Sequence, residues 1–334
     1  MRNSSRVCSC ALLLALAGPA SGQQQAQGFA LERLYQSAPG GGWLVMDALD
    51  LHGGLGGVFA LSLGYASDPL HVSDGTNNLA VVSDQAFVDV GAALTYHRWR
   101  FYLNIASPLA VRGQSGTVGD WAFTGPAFDL GSRPDKVTDG RIGTDVRLFG
   151  GPGGHFRLGV GAQLMVPWGA VSGSRTDYDT DNQVRGMVRV LFAGDARHFA
   201  YAGQLGVHLR PLDESATPGS PAGSELLFGV AAGAKLPVGR SGRWDAIIGP
   251  EIFGASAFRA FNGYGTALEG LLSGRIEGTA TERFQMRVKL GVGAGLSRHF
   301  GAPDWRIVAG LEVYNRNARP HSSLPIASPT QSRR

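Results

Sequence analysis

The feature that most constrains the fold of this chain is a strict two-residue alternation over residues 156–168, FRLGVGAQLMVPW. Because successive side chains of a β-strand point to opposite faces, the pattern predicts a strand with one large apolar face. That face comprises Phe156, Leu158, Val160, Ala162, Leu164, Val166 and Trp168. The other face is mostly glycine with Arg157 and Gln163, which is not typical of the water-facing side of a soluble sheet.

The same alternation recurs in RIGTDVRLF (141–149), FAYAGQLGVHLR (199–210), ELLFGVAAGAKL (225–236) and FQMRVKLGVGAGL (284–296). Strands of about 10–14 residues are much longer than the soluble average of about 5–6. Residues 156–168, rising ~3.3 Å per residue and tilted by about 40°, span roughly 30 Å of membrane thickness. This length fits a lipid-facing band with Phe156 and Trp168 in its two aromatic girdles. A soluble β-sandwich, the alternative fold, requires no strands of this length.

The connections between these segments alternate between short and long. Five short connections occupy residues 97–100, 150–155, 194–198, 239–244 and 277–283. Six longer ones occupy residues 73–78, 112–140, 169–182, 211–223, 258–264 and 298–304. This arrangement implies twelve strands with both ends on the short-turn side. It predicts an all-β protein, a transmembrane antiparallel β-barrel of the bacterial outer membrane with short periplasmic turns and longer extracellular loops.

The first 22 residues have the features of a signal peptide. Arg2 and Arg6 form a basic start, CALLLALAG (10–18) is a short apolar core, and ASG (20–22) supplies small residues before cleavage at Gln23. Apart from the first 20 residues, no apolar run approaches the length of a transmembrane helix. Both cysteines lie in the predicted signal peptide, which excludes disulfides and thiol chemistry in the exported chain.

The exported chain divides into three predicted parts. Residues 23–50 form either a plug in the periplasmic mouth or the entry to the first strand, and residues 51–314 form the barrel. Residues 315–334 form a polar tail, rich in Pro and Ser, that we expect to be disordered. Its four arginines are either solvated or in contact with anionic peptidoglycan or lipid headgroups.

The charge distribution argues against nucleic acid as a partner. The net charge is +4, but six arginines lie in the two terminal segments, which leaves −2 for the body. The partners expected for an outer-membrane barrel are outer-membrane lipid, lipopolysaccharide and, during biogenesis, the barrel-assembly machinery. No motif predicts a cofactor.

The alternation places charged side chains on the lumen face. Ten of them are predicted to line a pore: Arg147, Arg157, Arg185, Arg189, Glu225, Lys235, Glu251, Glu269, Arg287 and Lys289. With Arg275, Asp89, Asp145, Asp245 and Glu277 they make eight bases and seven acids. A selective pore tends to carry an excess of one sign, whereas balanced charges can pair and block the lumen. The sequence therefore leaves two functions open: a passive pore for small solutes or ions, and a closed structural barrel.

A lipid hydrolase is the third hypothesis, and it needs Ser, His and a polar orienting group on the lipid-facing rim. The nearest approach to a G-x-S-x-G motif is GASAF (254–258). His155 and His198 fall in short turns, His97 lies beside one, and His208 is predicted to face the lumen. These positions predict that the chain is not an enzyme.

One acidic loop is a weak candidate for metal binding. DYDTDN spaces Asp177, Asp179 and Asp181 two residues apart, as in the first half of a calcium loop. The glycine and the glutamate that complete such a loop are missing. The alternatives are a solvated acidic loop and a site for divalent ions that bridge lipopolysaccharide phosphates; no other metal site is predicted.

Several of these segments resemble a known family. They are residues 28–53, 143–150, 158–169, 199–207 and 223–233, the last reading GSELLFGVAAG. They resemble the N-terminal barrel region of envelope proteins that carry an OmpA-like peptidoglycan-binding domain behind the barrel. The resemblance implies an integral outer-membrane barrel, and that family has no well-defined activity to transfer. The chain departs from the pattern after Tyr314, where only the short tail follows and no peptidoglycan-binding domain is expected.

Overall fold

The structure is a computed structural model. It describes residues 24–26, 28–51, 54–129, 139–167, 178, 180–212, 223–238, 244–261, 265–281, 284–297 and 301–315. The predicted signal peptide, Trp168, Asp177, Asp179 and residues 316–334 lie outside the described residues.

Twelve long strands form the wall of a barrel. They are β1 Leu55–Ser73, β2 Asn78–Tyr96, β3 Trp99–Arg112, β4 Asp139–Phe149, β5 Arg157–Pro167, β6 Arg185–Asp195, β7 Phe199–Leu209, β8 Glu225–Val238, β9 Trp244–Ala257, β10 Thr266–Thr279, β11 Phe284–Gly295 and β12 Trp305–Asn315. Each strand pairs antiparallel with the next, and β12 pairs with β1 through the register Leu311↔Leu61. The sheet is therefore closed, and the prediction of a twelve-stranded antiparallel barrel is confirmed.

The two faces of each strand differ as the alternation predicts. On β11, Leu290 and Val292 are 55% and 53% exposed on the outer surface, whereas Arg287 and Lys289 face inward and are buried. A closed sheet pairs its backbone groups within the wall, as lipid requires. An apolar outer face and a charged inner face are therefore consistent with a barrel that lies in a membrane. In the described part of the chain, no helix is long and apolar enough to cross a bilayer.

The long-loop end of the barrel is covered by a small cap. Gln24–Gln25 pairs in parallel with Trp121–Phe123, which pairs antiparallel with Gly116–Val118. Below these short strands lies an apolar cluster that includes Phe29, Leu79, Val111, Phe128 and Tyr178. Another short strand, Ala127–Asp129, pairs with the end of β3.

Residues 28–51, here called the inner segment, lie in the barrel lumen. At the long-loop end, the ring of Phe29 meets that of Tyr178 edge to face. At the short-turn end, the carbonyls of Leu49 and Leu51 accept hydrogen bonds from Arg147 of β4. The segment thus runs the length of the lumen, whereas the sequence alternatives were a plug in the periplasmic mouth and an entry to the first strand.

Apolar packing inside the barrel involves both the inner segment and the wall. The buried cluster contains Leu34, Trp43, Leu44, Val45, Met46 and Ala48 from the segment and Phe87, Ala193, Ala200, Ala202, Ala231, Ile247, Phe253, Leu271 and Val308 from the strands. The core of this barrel is therefore its filled lumen.

Candidate functional site in the barrel lumen

The inner segment makes a tight loop in the middle of the lumen. Ser37 N–H donates to the Leu44 carbonyl at 2.9 Å, and Ala48 N–H donates to the Gly41 carbonyl at 2.7 Å. Gly40 and Gly42 have φ values of 85° and 95°, a left-handed conformation that glycine adopts without strain. The loop turns the backbone N–H groups of its next residues toward the wall.

Glu251 of β9 binds those N–H groups. Its carboxylate accepts hydrogen bonds from the backbone N–H of Leu44, Val45 and Met46 at 3.0, 2.9 and 3.2 Å. The Glu251 side chain is fully buried, so these bonds form without competition from water. Glu251 is therefore a principal anchor of the inner segment.

A second anchor lies on β11 and β12. Lys289 Nζ donates to the Trp43 carbonyl at 3.1 Å and to Glu312 at 2.7 Å. Glu312 also accepts a 2.7 Å bond from Arg287, whose guanidinium lies over the Tyr314 ring. These wall charges satisfy one another and at the same time hold the segment.

At its short-turn end, the inner segment is held by ion pairs between its own carboxylates and arginines of the wall. Asp47 pairs with Arg100 of β3, which also pairs with Asp145 of β4 at 2.5 Å. Asp50 pairs with Arg157 of β5 at 2.7 Å. A charge buried without a partner is costly, so these pairs hold the segment in this register.

The long-loop half of the segment uses charges of both signs. Arg33 pairs with Glu225 of β8 at 3.1 Å, and Glu32 pairs with Arg306 of β12 at 2.9 Å. Arg306 also bonds Glu269 of β10 at 3.0 Å. Each of these contacts joins the inner segment to a different part of the wall.

Asp181, in the acidic loop, is buried beside the start of the inner segment. Its carboxylate accepts a 2.7 Å bond from the Ala30 N–H and pairs with Arg210 at 2.8 Å. Burial raises the pKa of Asp181, but Arg210, Arg185 and the Ala30 N–H outweigh it and lower that pKa to about 2. Asp181 is therefore not the solvated or ion-bridging residue of the sequence alternatives, and Asp177 and Asp179 lie outside the described residues. Among the residues that the structure covers, no cluster of three or more His, Cys, Asp and Glu side chains is placed to hold a metal.

All ten residues that the sequence predicted to line a pore lie on the inner face of the wall. Nine of them are at most 6% exposed: Arg147, Arg157, Arg185, Arg189, Glu225, Glu251, Glu269, Arg287 and Lys289. Lys235 is partly exposed near the short-turn end, where it pairs with Asp195. Six of the ten form bonds either to the inner segment or to a wall residue that is ion-paired with the segment. That the ten line a transport path stays a prediction.

Sequence reasoning missed further interior charges. Arg100 was placed in a short turn, although the structure has it inside β3 and fully buried. Arg306 and Glu312 alternate with the outward residues of β12, so the same two-residue rule would have placed them inside. Asp47 and Asp50 carried no such signal, because the inner segment has no periodicity.

The described histidines do not form a hydrolase site on the lipid-facing rim. His208 is buried in the lumen, where its ring lies 3.1 Å from the Tyr35 hydroxyl. His97, His155 and His198 lie in or beside short turns. His71 is exposed on β1 near the long-loop end, and within the described chain its hydrogen-bond partner is Asp68.

Comparisons with known proteins place this geometry in a fold class. No protein-family model matches the chain, and no curated protein matches it. Among solved structures, an outer-membrane channel from Pseudomonas putida F1 matches with a TM-score of 0.51 and 11% identity, covering 80% of this chain and 97% of that one. The chain has the fold of integral outer-membrane β-barrels.

Two further matches are more distant. The NanC porin matches with a TM-score of 0.44 and 7% identity over 77% of this chain and 99% of that one. A monoaromatic hydrocarbon channel matches with a TM-score of 0.43 and 10% identity over 85% of this chain and 98% of that one.

Proposed function

We propose that this protein is an outer-membrane channel for small solutes or ions and that the inner segment closes it in the state described here. The observation that supports this proposal is how the segment is attached. Within the described residues, no backbone hydrogen bond joins residues 28–51 to any of the twelve strands; the attachments run through side chains. The segment can therefore move without breaking the ladder that keeps the barrel closed.

Such a movement would expose charged side chains that can line a water-filled path. Displacing the segment separates Glu32, Arg33, Asp47 and Asp50 from their wall partners. Water entering the lumen would then solvate the freed wall charges, which lowers the cost of breaking the pairs. The path would be lined by both signs of charge, so we expect weak ion selectivity.

A closed structural barrel is the second candidate. Several interior ion pairs join wall to wall without the inner segment, such as Arg287 with Glu277 at 2.6 Å and Arg189 with Asp145 at 3.4 Å. In this candidate these pairs stay formed whatever the segment does, and the lumen stays closed to ions. Conductance distinguishes this candidate from the channel.

We also infer that the protein is not an enzyme, since in the described residues the polar partners of His208 are Tyr35 and Glu225, that of His71 is Asp68, and neither histidine bonds a serine hydroxyl. Membership in the OmpA-like envelope proteins, export by a signal peptide, and contacts with lipopolysaccharide or peptidoglycan stay predictions.

The test is single-channel recording in planar bilayers, on protein whose barrel closure a heat-dependent gel shift has confirmed. Glu251→Gln removes the charge that binds three backbone N–H groups, so we expect it to raise the open probability at least tenfold over wild type. The matched control is Asp139→Asn, which also removes one buried carboxylate charge; in the described residues Asp139 bonds Thr180 and Arg185, and neither of these bonds the inner segment.

Two results would contradict the proposal. Folded but silent wild-type and variant proteins would favour the structural barrel. Equal ohmic steps in wild type and Glu251→Gln would mean that ions pass without displacement of the segment.

A further inference from the structure

A cavity of about 110 Å³ lies between the inner segment and the wall in the long-loop half of the barrel. Strands β2 to β6 form its outer side. Its apolar lining includes Leu34 of the segment, Phe87 of β2, Pro108 of β3 and Met165 of β5.

Two arginines flank Met165 on the cavity wall. Arg141 of β4 and Arg185 of β6 are both register partners of Met165, so the three side chains lie in one row. Both guanidinium groups are more than nine-tenths buried. In this row the apolar Met165 side chain lies between two hydrogen-bond donors, the guanidinium groups of Arg141 and Arg185.

The donors of this row are only partly used. Arg141 Nη1 donates to the Gln36 carbonyl at 2.6 Å, and Arg185 Nη2 bonds Asp139. Within the described residues, Arg141 Nη2 and Arg185 Nε and Nη1 have no hydrogen-bond acceptor, and Gln85 Oε1 has no donor. Buried donors without acceptors are unfavourable, so an occupant that supplies oxygen acceptors would be stabilised here.

We infer that this cavity binds a small uncharged molecule with oxygen acceptors on one edge and an apolar opposite edge. The acceptors would face Arg141 and Arg185, and the apolar edge would contact Leu34, Phe87 and Met165. The inference deepens the proposed function, because the molecule would occupy the lumen that the inner segment closes.

The charge balance of the lining favours an uncharged ligand. Arg185 already pairs with Asp139, and its Nε lies 3.6 Å from the Asp181 carboxylate. Arg141 lies 3.8 Å from Asp89. Glu32 also lines the cavity, but it pairs with Arg306, so the charges of the lining are already matched. A bound anion would add an unmatched negative charge, and a bound cation would leave the free N–H groups without acceptors.

The cavity volume limits the ligand to a single small ring. An engineered apolar cavity of roughly 150 Å³ takes up benzene, so a space of about 110 Å³ admits a molecule no larger than that. Cyclopentanone meets both requirements, with one carbonyl acceptor and an apolar ring. Cyclopropanecarboxylate and cyclopentylammonium, which have as many non-hydrogen atoms as cyclopentanone, are the charged probes.

The experiment is titration of the detergent-solubilised full chain with each of these three probes, monitored by saturation-transfer NMR of the ligand. We expect saturable binding of cyclopentanone and at least tenfold weaker binding of both charged probes. Met165→Trp fills the cavity and is expected to abolish saturable binding. Met187→Trp is the matched control, because Met187 is a buried inward-facing methionine of β6 outside the cavity lining.

A second variant tests the donors without filling the space. Arg185→Lys keeps the positive charge but removes the guanidinium N–H groups, so we expect about two- to tenfold weaker binding of cyclopentanone. The inference is overturned by equal binding to wild type and Met165→Trp, by tighter binding of a charged probe, or by no saturable binding of any probe. These readouts need no conductance, so a silent barrel that binds cyclopentanone would contradict the channel and leave the site standing.

Discussion

At the scale of single residues, the lumen is organised by buried side chains that each serve several partners. The Glu251 carboxylate binds three consecutive backbone N–H groups, and Arg100 joins Asp47 of the segment to Asp145 of the wall. Removing Arg100 would take the ion-pair partner from buried Asp47 and leave Asp145 with the 3.4 Å contact to Arg189. The cost of that loss exceeds the net stability that the intact set provides.

Arg100→Met tests this asymmetry. Asp47 and Asp145 would lose their shared cation in a buried site, so we expect a loss of about 3–5 kcal/mol in the free energy of unfolding. Urea unfolding monitored by tryptophan fluorescence provides the measurement. Arg98→Met, in the exposed turn before β3, is the control and is expected to stay within about 0.5 kcal/mol of wild type. Equal stabilities of the two variants would argue against the buried set.

Asp181 lies in a loop outside the membrane-spanning strands, and its pKa predicts how the free energy of unfolding depends on pH. Its pKa in the folded protein is about 2, below the ordinary 3.8, so the unfolded chain binds the extra proton first as the pH falls. The contribution is complete above about pH 5 and is lost as the pH falls through 3.8 toward 2, amounting to about 2 kcal/mol. Asp181→Asn should therefore flatten the stability profile of unfolding between pH 5 and pH 2, and an unchanged profile would count against the Arg210 pairing.

At the scale of elements, two-residue alternation was sufficient to predict the strands. Residues 156–168, 225–236 and 284–296 all lie largely within strands of the structure, and the five short and six long connections lie within about three residues of their predicted bounds. The prediction depends on a local property, because each strand must present an apolar face to lipid. The structure has the barrel strands at 55–315, close to the predicted 51–314.

The inner segment was not predictable in the same way. It has no periodicity, and its contacts join residues far apart in sequence, such as Leu44 with Glu251 and Trp43 with Lys289. The balance of interior charge was visible in the sequence, but the partners of each charge were not. Those partners depend on which strands face each other across the lumen, a property of the closed barrel.

The depth of a residue in the membrane predicts the cost of a charge on the outer face. Leu290 lies in the middle of β11, and Leu296 lies just beyond its end at the long-loop side; both are more than half exposed. Leu290→Arg is expected to lower the free energy of unfolding in lipid vesicles by about 2–4 kcal/mol, and Leu296→Arg by about 0–1 kcal/mol. A cost that does not depend on depth would contradict the lipid-facing assignment.

At the scale of the whole molecule, the chain passes through its own barrel. Gln25 lies in the cap at the long-loop end, whereas β1 begins at the short-turn end. The inner segment connects these two ends through the lumen. The barrel strands therefore pair around a segment that precedes them in sequence.

This path predicts which end of the barrel displays Gln25. If the long loops are extracellular, Gln25→Cys should react with a membrane-impermeant maleimide on intact cells, since Gln25 is exposed. Ala280→Cys, exposed in the short turn after β10, should react only after permeabilisation. The opposite labelling pattern would reverse the assigned orientation, and labelling of both residues only after permeabilisation would contradict the path through the lumen.

The central claim is that the inner segment closes the channel, and a reversible tether tests it most directly. A β-carbon at position 291 of β11 would overlap the terminal methyl of Leu44, so the two positions are neighbours, and Leu44→Cys removes the overlapping atom. We therefore choose cysteines at these two positions for the disulfide. The background is Glu251→Gln, and each single cysteine variant is a control. In planar bilayers we predict that oxidation reduces the open probability at least tenfold and that dithiothreitol restores it. Equal conductance before and after reduction, with the disulfide confirmed by mass spectrometry, would contradict the claim.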